Sequence, residues 1–310
     1  MEFFHKVSTY PFMRTRRMWY GVSTVAILAS IALLVLRGLN LGIDFTGGVV
    51  LQFAFPQTAN IEETRASLEK AGHEAIVTSF GAPNEVMVRL LPQKNQDVNV
   101  VSREVTAVLQ TSVPGVILRS SEVVGPQIGE ELTNQGGMAI MMTFILVGLY
   151  TWFRFQWKMG LSAVVATLHD PIIILGFFAL TRITFDLSVL AAILAVIGYS
   201  LNDTVVVFDR VRDNFHTMRR AASEAVLDAS INQTLSRTVI TSGATLLVVL
   251  VLLVMGGETL KGFSWALTIG ILVGTYSSIY VAGAMALELK LSAIDLMPPK
   301  EEKEEIDALP

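Results

Sequence analysis

Six long runs of apolar residues dominate the chain, and one polar segment separates the first run from the rest. The first run extends from Tyr20 to Leu36, and about 17 residues is the shortest length that crosses a bilayer as a helix. It is long for a signal peptide and no small-x-small cleavage site follows it, so we expect residues 1–37 to contain a retained anchor. The remaining runs are Met138–Phe153, Leu161–Leu180, Leu187–Phe208, Val239–Val254 and Phe263–Leu287. The pattern predicts a polytopic α-helical membrane protein with six transmembrane helices, the last five within residues 137–290.

The polar segment, residues 38–136, is predicted to fold as a separate α+β domain. Strands are predicted where apolar residues alternate, at Val49–Phe55, Ala75–Phe80, Glu85–Leu91 and Val116–Val124. Helices are predicted at Ile61–Ala71, with Asn60 as N-cap, and at Val98–Thr111. The β-α-β-β-α-β order is that of the ferredoxin-like fold, which predicts an antiparallel sheet with both helices on one face. Candidates for the buried face are Val50, Phe53 or Phe55, Val77 and Val88.

Glycine-rich motifs border this domain on both sides. LGIDFTGG, at 41–48, follows the first span and contains Asp44, Gly47 and Gly48. VGPQIG, at 124–129, precedes the second span and contains Gly125 and Pro126. Glycine permits tight backbone turns and proline fixes one φ angle. The motifs are either ordinary turns or hinge and docking segments between the domain and the membrane helices.

Composition supports a membrane protein and excludes several kinds of chemistry. Hydrophobic residues make up 52% of the chain and charged residues only 16%, which is too apolar for an ordinary soluble protein. The absence of cysteine excludes disulfides and thiolate sites. No GxxxxGK[ST] or HExxH motif occurs. We therefore expect no enzyme, no metal, no cofactor and no nucleic-acid partner.

The distribution of basic residues predicts the orientation in the membrane. Lys and Arg concentrate in the N-terminus, the 154–158 turn and the 209–237 segment, which contains a predicted surface helix at 221–235. The alternate turns contain only Arg182 and Lys261. Because positive charges favour the cytoplasmic side, we expect both termini in the cytoplasm and the 38–136 domain in the periplasm. The acidic tail, residues 291–310, is predicted to be disordered.

Asp203 is the main candidate for a functional residue, because it follows Asn202 inside an apolar run. A carboxylate at the centre of a spanning helix costs roughly 2.5–3.5 kcal/mol, so such groups usually handle protons or ions. Arg237 opens the next predicted span, and its side chain is long enough to approach Asp203 from the helix base. A charge placed near the membrane surface is the alternative interpretation of Asp203.

Two further sets of residues lie inside predicted spans. His169 and Asp170, followed by Pro171, lie near the middle of the third span. Adjacent helical residues point about 100° apart and need not touch, so a proton relay and a buried structural pair both remain open. Gly270, Gly274 and Ser278 form a ridge of small residues in the last span, which permits close helix packing and is a candidate contact surface for a partner.

Several motifs together resemble the SecD/SecF family of bacterial protein export. They are LGIDFTGG, VGPQIG, the FRF at 153–155, the HD at 169–170, GYSLNDTVVVFDR at 198–210 and SRTVITS at 236–242. The motif order matches from about residue 10 to about residue 290, and the tail is not covered. The resemblance places the family's essential transmembrane carboxylate on Asp203 and its essential arginine on Arg237.

The resemblance implies a subunit of an export machinery in the cell inner membrane. It implies a SecD partner, a pseudo-symmetric transporter of the resistance–nodulation–division type, and association with the SecYEG channel and accessory subunits. Proton flow through the membrane helices would drive periplasmic movements that pull the preprotein outward. Two alternatives remain open: half of a proton-coupled small-molecule exporter, and a passive scaffold subunit.

Overall fold

A computed structural model describes residues 8–91 and 98–296 of the chain. Six of the described helices are long and apolar enough to cross a membrane, which confirms the predicted number. In chain order the elements are α1 (Arg16–Arg37), α2 (Ile43–Thr46), β1 (Gly48–Ala54), α3 (Ile61–Lys70), β2 (Ala75–Phe80), β3 (Ala82–Leu90), α4 (Val98–Ser112), β4 (Ile117–Val124), α5 (Pro126–Arg154), α6 (Trp157–Thr181), α7 (Leu187–Thr217), α8 (Ser223–Met255), α9 (Gly257–Ser277) and α10 (Gly283–Glu288). A π-helical turn, Ser278–Ala282, joins α9 to α10 within the sixth span.

The domain between α1 and α5 has the predicted ferredoxin-like fold. Its sheet has the strand order β2-β3-β1-β4, and every neighbouring pair is antiparallel. Asn60 caps α3, as predicted, by accepting a hydrogen bond from the Glu63 amide. Leu68 of α3 and Leu109 of α4 pack into one core with the alternating strand residues, so both helices lie on the same face. The core residues of the strands are Val49, Leu51, Phe53, Val77, Val86, Val88 and Leu90.

Two details of the domain differ from the sequence prediction. Val50 is buried, but it lies outside the core cluster that contains Val49 and Leu51, because successive strand residues point to opposite faces. The third strand begins at Ala82 and not at Glu85, so the Gly-Ala-Pro-Asn sequence between the two predicted strands leaves the sheet only at Gly81, whose φ is +70°. Pro83 belongs to the start of β3, a position where a strand tolerates proline.

The helices extend beyond the apolar runs that predicted them. Pro126 occupies the first turn of α5, so residues 126–136 belong to this helix and not to the domain. The predicted surface helix at 221–235 and the fifth span are one continuous helix, α8. The apolar run marks the part of a helix suited to lipid, whereas backbone hydrogen bonding extends into the polar residues that precede it in α5 and α8.

The spans form an inner and an outer group. In α6, α7 and the sixth span, half or more of the residues in the apolar window are buried, against fewer than one in five in α1, α5 and α8. Chemistry that requires a dry environment is therefore expected among α6, α7 and α9.

The end of the bundle opposite the domain is tied together by polar contacts. Arg154 at the end of α5 forms an ion pair with Asp209 of α7 at 2.5 Å. Lys158 forms an ion pair with Asp295 at 2.7 Å. Asp295 lies in a short 3₁₀-helix, Ala293–Leu296. Burial raises the pKa of Asp295, but hydrogen bonds from Lys158 and Ser292 outweigh this effect and lower the pKa overall. The prediction of a disordered tail is therefore wrong for residues 291–296, and residues 297–310 lie outside the described part.

Candidate functional site

Asp203 lies on the buried face of α7, with 4% of its surface exposed. Ser200, Thr204 and Val207 are buried with it, and this spacing places all four on one side of the helix. The helix packs against both α8 and α9. The periodicity of α7 therefore directs the carboxylate into the bundle.

The Asp203 carboxylate has only weak hydrogen-bonding support. Ser242 of α8 donates a hydrogen bond to its Oδ2 at a long 3.5 Å, and we find no second one within residues 8–91 and 98–296. Ser242 in turn accepts hydrogen bonds from Thr275 of α9 at 2.8 Å and from Tyr199 at 3.4 Å. One serine thus connects the carboxylate to three helices.

Asn202 and Arg237 do not join Asp203 in a compact cluster. Asn202 is exposed. Arg237 is also exposed and lies well inside α8, not at its start. No ion pair or hydrogen bond joins Arg237 to Asp203 in the described part of the chain.

His169 and Asp170 contact each other directly, an outcome that helical geometry alone left open. The distance between His169 Nδ1 and Asp170 Oδ1 is 2.9 Å, and both residues are almost completely buried. His169 Nε2 is buried without a hydrogen-bond partner in the described part of the chain. Pro171 does not end α6, which continues through it to Thr181.

Asp170 connects three helices through its second oxygen. Its Oδ2 accepts hydrogen bonds from Ser200 of α7 at 2.5 Å and from Ser277 of α9 at 3.0 Å. With the bond to His169, the carboxylate has three partners, whereas that of Asp203 has one. The two buried carboxylates therefore have different environments: Asp170 is firmly held and Asp203 is loosely held.

The hydroxyl groups that surround these carboxylates were not predicted from the sequence: Ser200, Ser242, Thr275 and Ser277. Hydroxyls inside apolar helices commonly bond to the backbone of their own helix, as Thr268 does with the Ser264 carbonyl. Only Ser200 could have been predicted from its position, because it lies three residues before Asp203 and therefore on the same face of the helix.

The small-residue ridge packs inside the chain. A Cβ at Gly270 would collide with the Val196 side chain of α7, and one at Gly274 would lie 3.0 Å from the Ser200 Cβ. Ser278 is fully buried. The expectation that this ridge contacts a partner is therefore wrong in this structure, because α7 already covers it.

The glycine-rich motifs form a close junction between the domain and the bundle, which we call the joint: residues 37–48, which include α2, residues 124–129 and the 180–187 loop. Asp44 Oδ2 accepts a hydrogen bond from the Leu187 amide at 2.8 Å, at the first residue of α7. Residues 41 and 185 form a short parallel bridge, and the Gly42 amide donates to the Phe185 carbonyl at 2.7 Å.

Glycines allow the two motifs to approach each other within the joint. Gly47 has a φ of +68° and Gly48 one of +124°, which side chains rarely adopt. A Cβ at Gly47 would lie 3.0 Å from the Pro126 Cα. Gly125 is the N-cap of α5. These contacts favour docking over ordinary turns.

Taken together, the fold and the buried groups define a polytopic membrane protein with an α+β domain after its first span and carboxylates in its core. Two family models match the chain: SecD/SecF protein export membrane protein, C-terminal, over residues 104–292, and the SecD/SecF GG motif over residues 32–59. The chain therefore belongs to the SecD/SecF family.

Similar proteins extend this result over nearly the whole chain. Protein translocase subunit SecF of Vibrio alginolyticus is 46% identical and covers 97% of both chains. Its namesake in Escherichia coli O157:H7 is 40% identical and covers 98% of this chain and 95% of that one. A crystal structure of SecDF from Thermus thermophilus, described as a translocon-associated membrane protein, superposes with a TM-score of 0.82 at 36% identity. This chain is matched over 91% of its length but spans only 39% of that SecDF chain.

Proposed function

We propose that this chain uses the proton-motive force, together with a SecD partner, to promote preprotein translocation across the inner membrane. The translocase names of its full-length relatives support a role in protein export. The SecDF chain is more than twice as long as the part matched here, which supports a second, SecD-type half in a separate subunit. The SecYEG channel, the preprotein and membrane lipid complete the proposed surroundings.

This proposal rests on Asp203, whose carboxylate accepts only one long hydrogen bond from the described residues. Asp203 is buried and accepts one long hydrogen bond. Its ionised form is therefore unfavourable, because a buried charge needs adequate partners. Asp203 is therefore well suited to take up a proton from one side and release it when a movement changes its surroundings. The membrane potential supplies about 2.3 kcal/mol per elementary charge per 100 mV. Arg237 favours the ionised form through its charge.

His169 and Asp170 are a second candidate for the proton path. Nε2 of His169 is buried without a hydrogen-bond partner among the described residues, and Nδ1 contacts Asp170, so the pair is a candidate for proton transfer. The many hydrogen bonds of Asp170 favour a structural role, so Asp203 is our first choice for the titrating group.

Replacing Asp203 tests the proposed function. Asp203→Asn keeps the size of the side chain but cannot ionise, so we expect normal assembly with SecD and loss of proton-driven export. The matched control is Asp213→Asn on the same helix, where the side chain is exposed and export should be retained. Export of a signal-bearing reporter and proton uptake are measured in membrane vesicles at equal protein levels. Full export by Asp203→Asn would contradict the proposal.

The same assays test the role of Arg237 and distinguish the proposed function from its two alternatives. Arg237→Lys keeps the charge without the planar guanidinium and should retain partial export, while Arg237→Ala should not. A passive scaffold predicts that Asp203→Asn loses assembly with its partner. A small-molecule exporter predicts that Asp203→Asn alters drug resistance and leaves protein export unchanged.

A further inference from the structure

Arg89 connects the sheet of the domain to the joint by hydrogen bonds. It lies on β3, which is a central strand of the sheet. Its guanidinium donates hydrogen bonds to the Leu41 carbonyl, to Thr46 Oγ1 at 3.2 Å and to Asn40 Oδ1 at 3.5 Å. One side chain therefore binds the segment before α2 and the last residue of α2.

The groups that Arg89 binds are themselves attached to the bundle. Asn40 donates a hydrogen bond to the Arg182 carbonyl at 2.9 Å, and Arg182 donates to the Arg37 and Gly38 carbonyls at 2.9 Å. These bonds connect the end of α1 to the loop between α6 and α7. Arg89 consequently contacts a segment that is already fixed to two spans.

The other side of α2 holds the start of α7 through Asp44. From Leu187 to Asp203, α7 is an uninterrupted helix of about 24 Å at 1.5 Å per residue. A tilt or shift of α7 at Asp203 therefore reaches Asp44 through a stiff element. α2 is held between this helix end and the Arg89 guanidinium.

We propose that Arg89 is a positioning residue that couples α7 to the domain, so that movement of the helix that contains Asp203 moves the sheet. This inference rests on the proposed function for its role in export, but the mechanical connection stands on the contacts of the joint. The guanidinium suits this task because it is planar, has several donors in a fixed arrangement and stays charged. Burial lowers the pKa of Arg89 from its ordinary value, so its polar partners matter more than those of an exposed arginine.

Distance measurements between the domain and the bundle test this coupling. The chain contains no cysteine, so nitroxide labels are placed through Glu69→Cys on α3 and Leu161→Cys near the start of α6, two exposed positions outside the joint. We expect pulsed electron paramagnetic resonance to give a narrow distance distribution, which Arg89→Gln broadens. Arg119→Gln is the matched control, because Arg119 lies exposed on β4 of the same sheet and should leave the distribution unchanged.

Function is measured on the same variants in the complete complex. Arg89→Gln should reduce reporter export at least tenfold while proton uptake continues, and Arg89→Lys should lie between it and the wild type. Asp203→Asn should block proton uptake but leave the distance distribution narrow. An unchanged distribution in Arg89→Gln, or equal broadening in Arg119→Gln, would overturn the coupling inference. Normal export by Asp203→Asn would instead refute the proposed function and leave the distance result standing.

Discussion

At the scale of single residues, two buried carboxylates in one bundle have different surroundings. Asp170 has three hydrogen-bonding partners from three helices, whereas Asp203 has one distant serine. Hydrogen bonds to a charged group contribute about 1.5–3 kcal/mol each. We therefore interpret Asp170 as a group that holds α6, α7 and α9 together, and Asp203 as a group that changes its state.

This difference predicts unequal effects on stability. Asp170→Asn places an amide NH₂ among donors and should lower the free energy of unfolding by about 1–3 kcal/mol. Asp203→Asn should lower it much less, because few bonds are lost. Thermal unfolding of the purified chain in detergent measures both variants under identical conditions. If Asp203→Asn were the more destabilised of the two, the assignment of roles would be reversed.

The sequence identified the carboxylates but not their surroundings. Asp203, His169 and Asp170 are conspicuous because charge is rare in apolar runs. Ser242 and Ser277 resemble many ordinary hydroxyls in spans, and which of them faces a carboxylate depends on the rotation of three neighbouring helices. Arg89 was missed for the same reason, since its partners lie far away in the chain.

At the scale of elements, α7 and α9 pack closely against each other in the bundle interior. Gly270 of α9 faces Val196 of α7 without room for a Cβ, and Gly274 faces Ser200. The sequence predicted the ridge, but it could not show whether the covering helix belongs to this chain or to another. The close approach also brings Thr275 and Ser277 to the two polar clusters.

A methyl group at this contact should therefore weaken the bundle. Gly270→Ala forces α9 away from α7, and we expect a loss of about 1–3 kcal/mol from overpacking. Gly198→Ala on α7 is the matched control, because no heavy atom lies within 4 Å of a Cβ there, and it should be neutral or slightly stabilising. Comparison of the unfolding temperatures checks both. Equal stability of the two variants would contradict the assigned contact.

At the scale of the whole molecule, the outer spans leave wide apolar faces. α1, α5 and α8 bury few of their residues within the chain, so lipid or a partner must cover them. Transporters built from repeats place their coupling site between two halves, and Arg237 is exposed on one of these outer helices. The outer face of α8 is therefore where we expect the SecD-type half to complete the site.

The distribution of basic residues predicts the orientation of the molecule in the membrane. Arg154, Lys158, Arg219 and Arg220 all lie at the end opposite the domain, which the positive-inside rule assigns to the cytoplasm. In the cysteine-free chain, Thr111→Cys on α4 should react with a membrane-impermeant maleimide in intact spheroplasts. Arg219→Cys, at the opposite end, should react only after permeabilisation. The reverse labelling pattern would place the domain in the cytoplasm, and the joint could then no longer transmit force to a preprotein that leaves the membrane on the outer side.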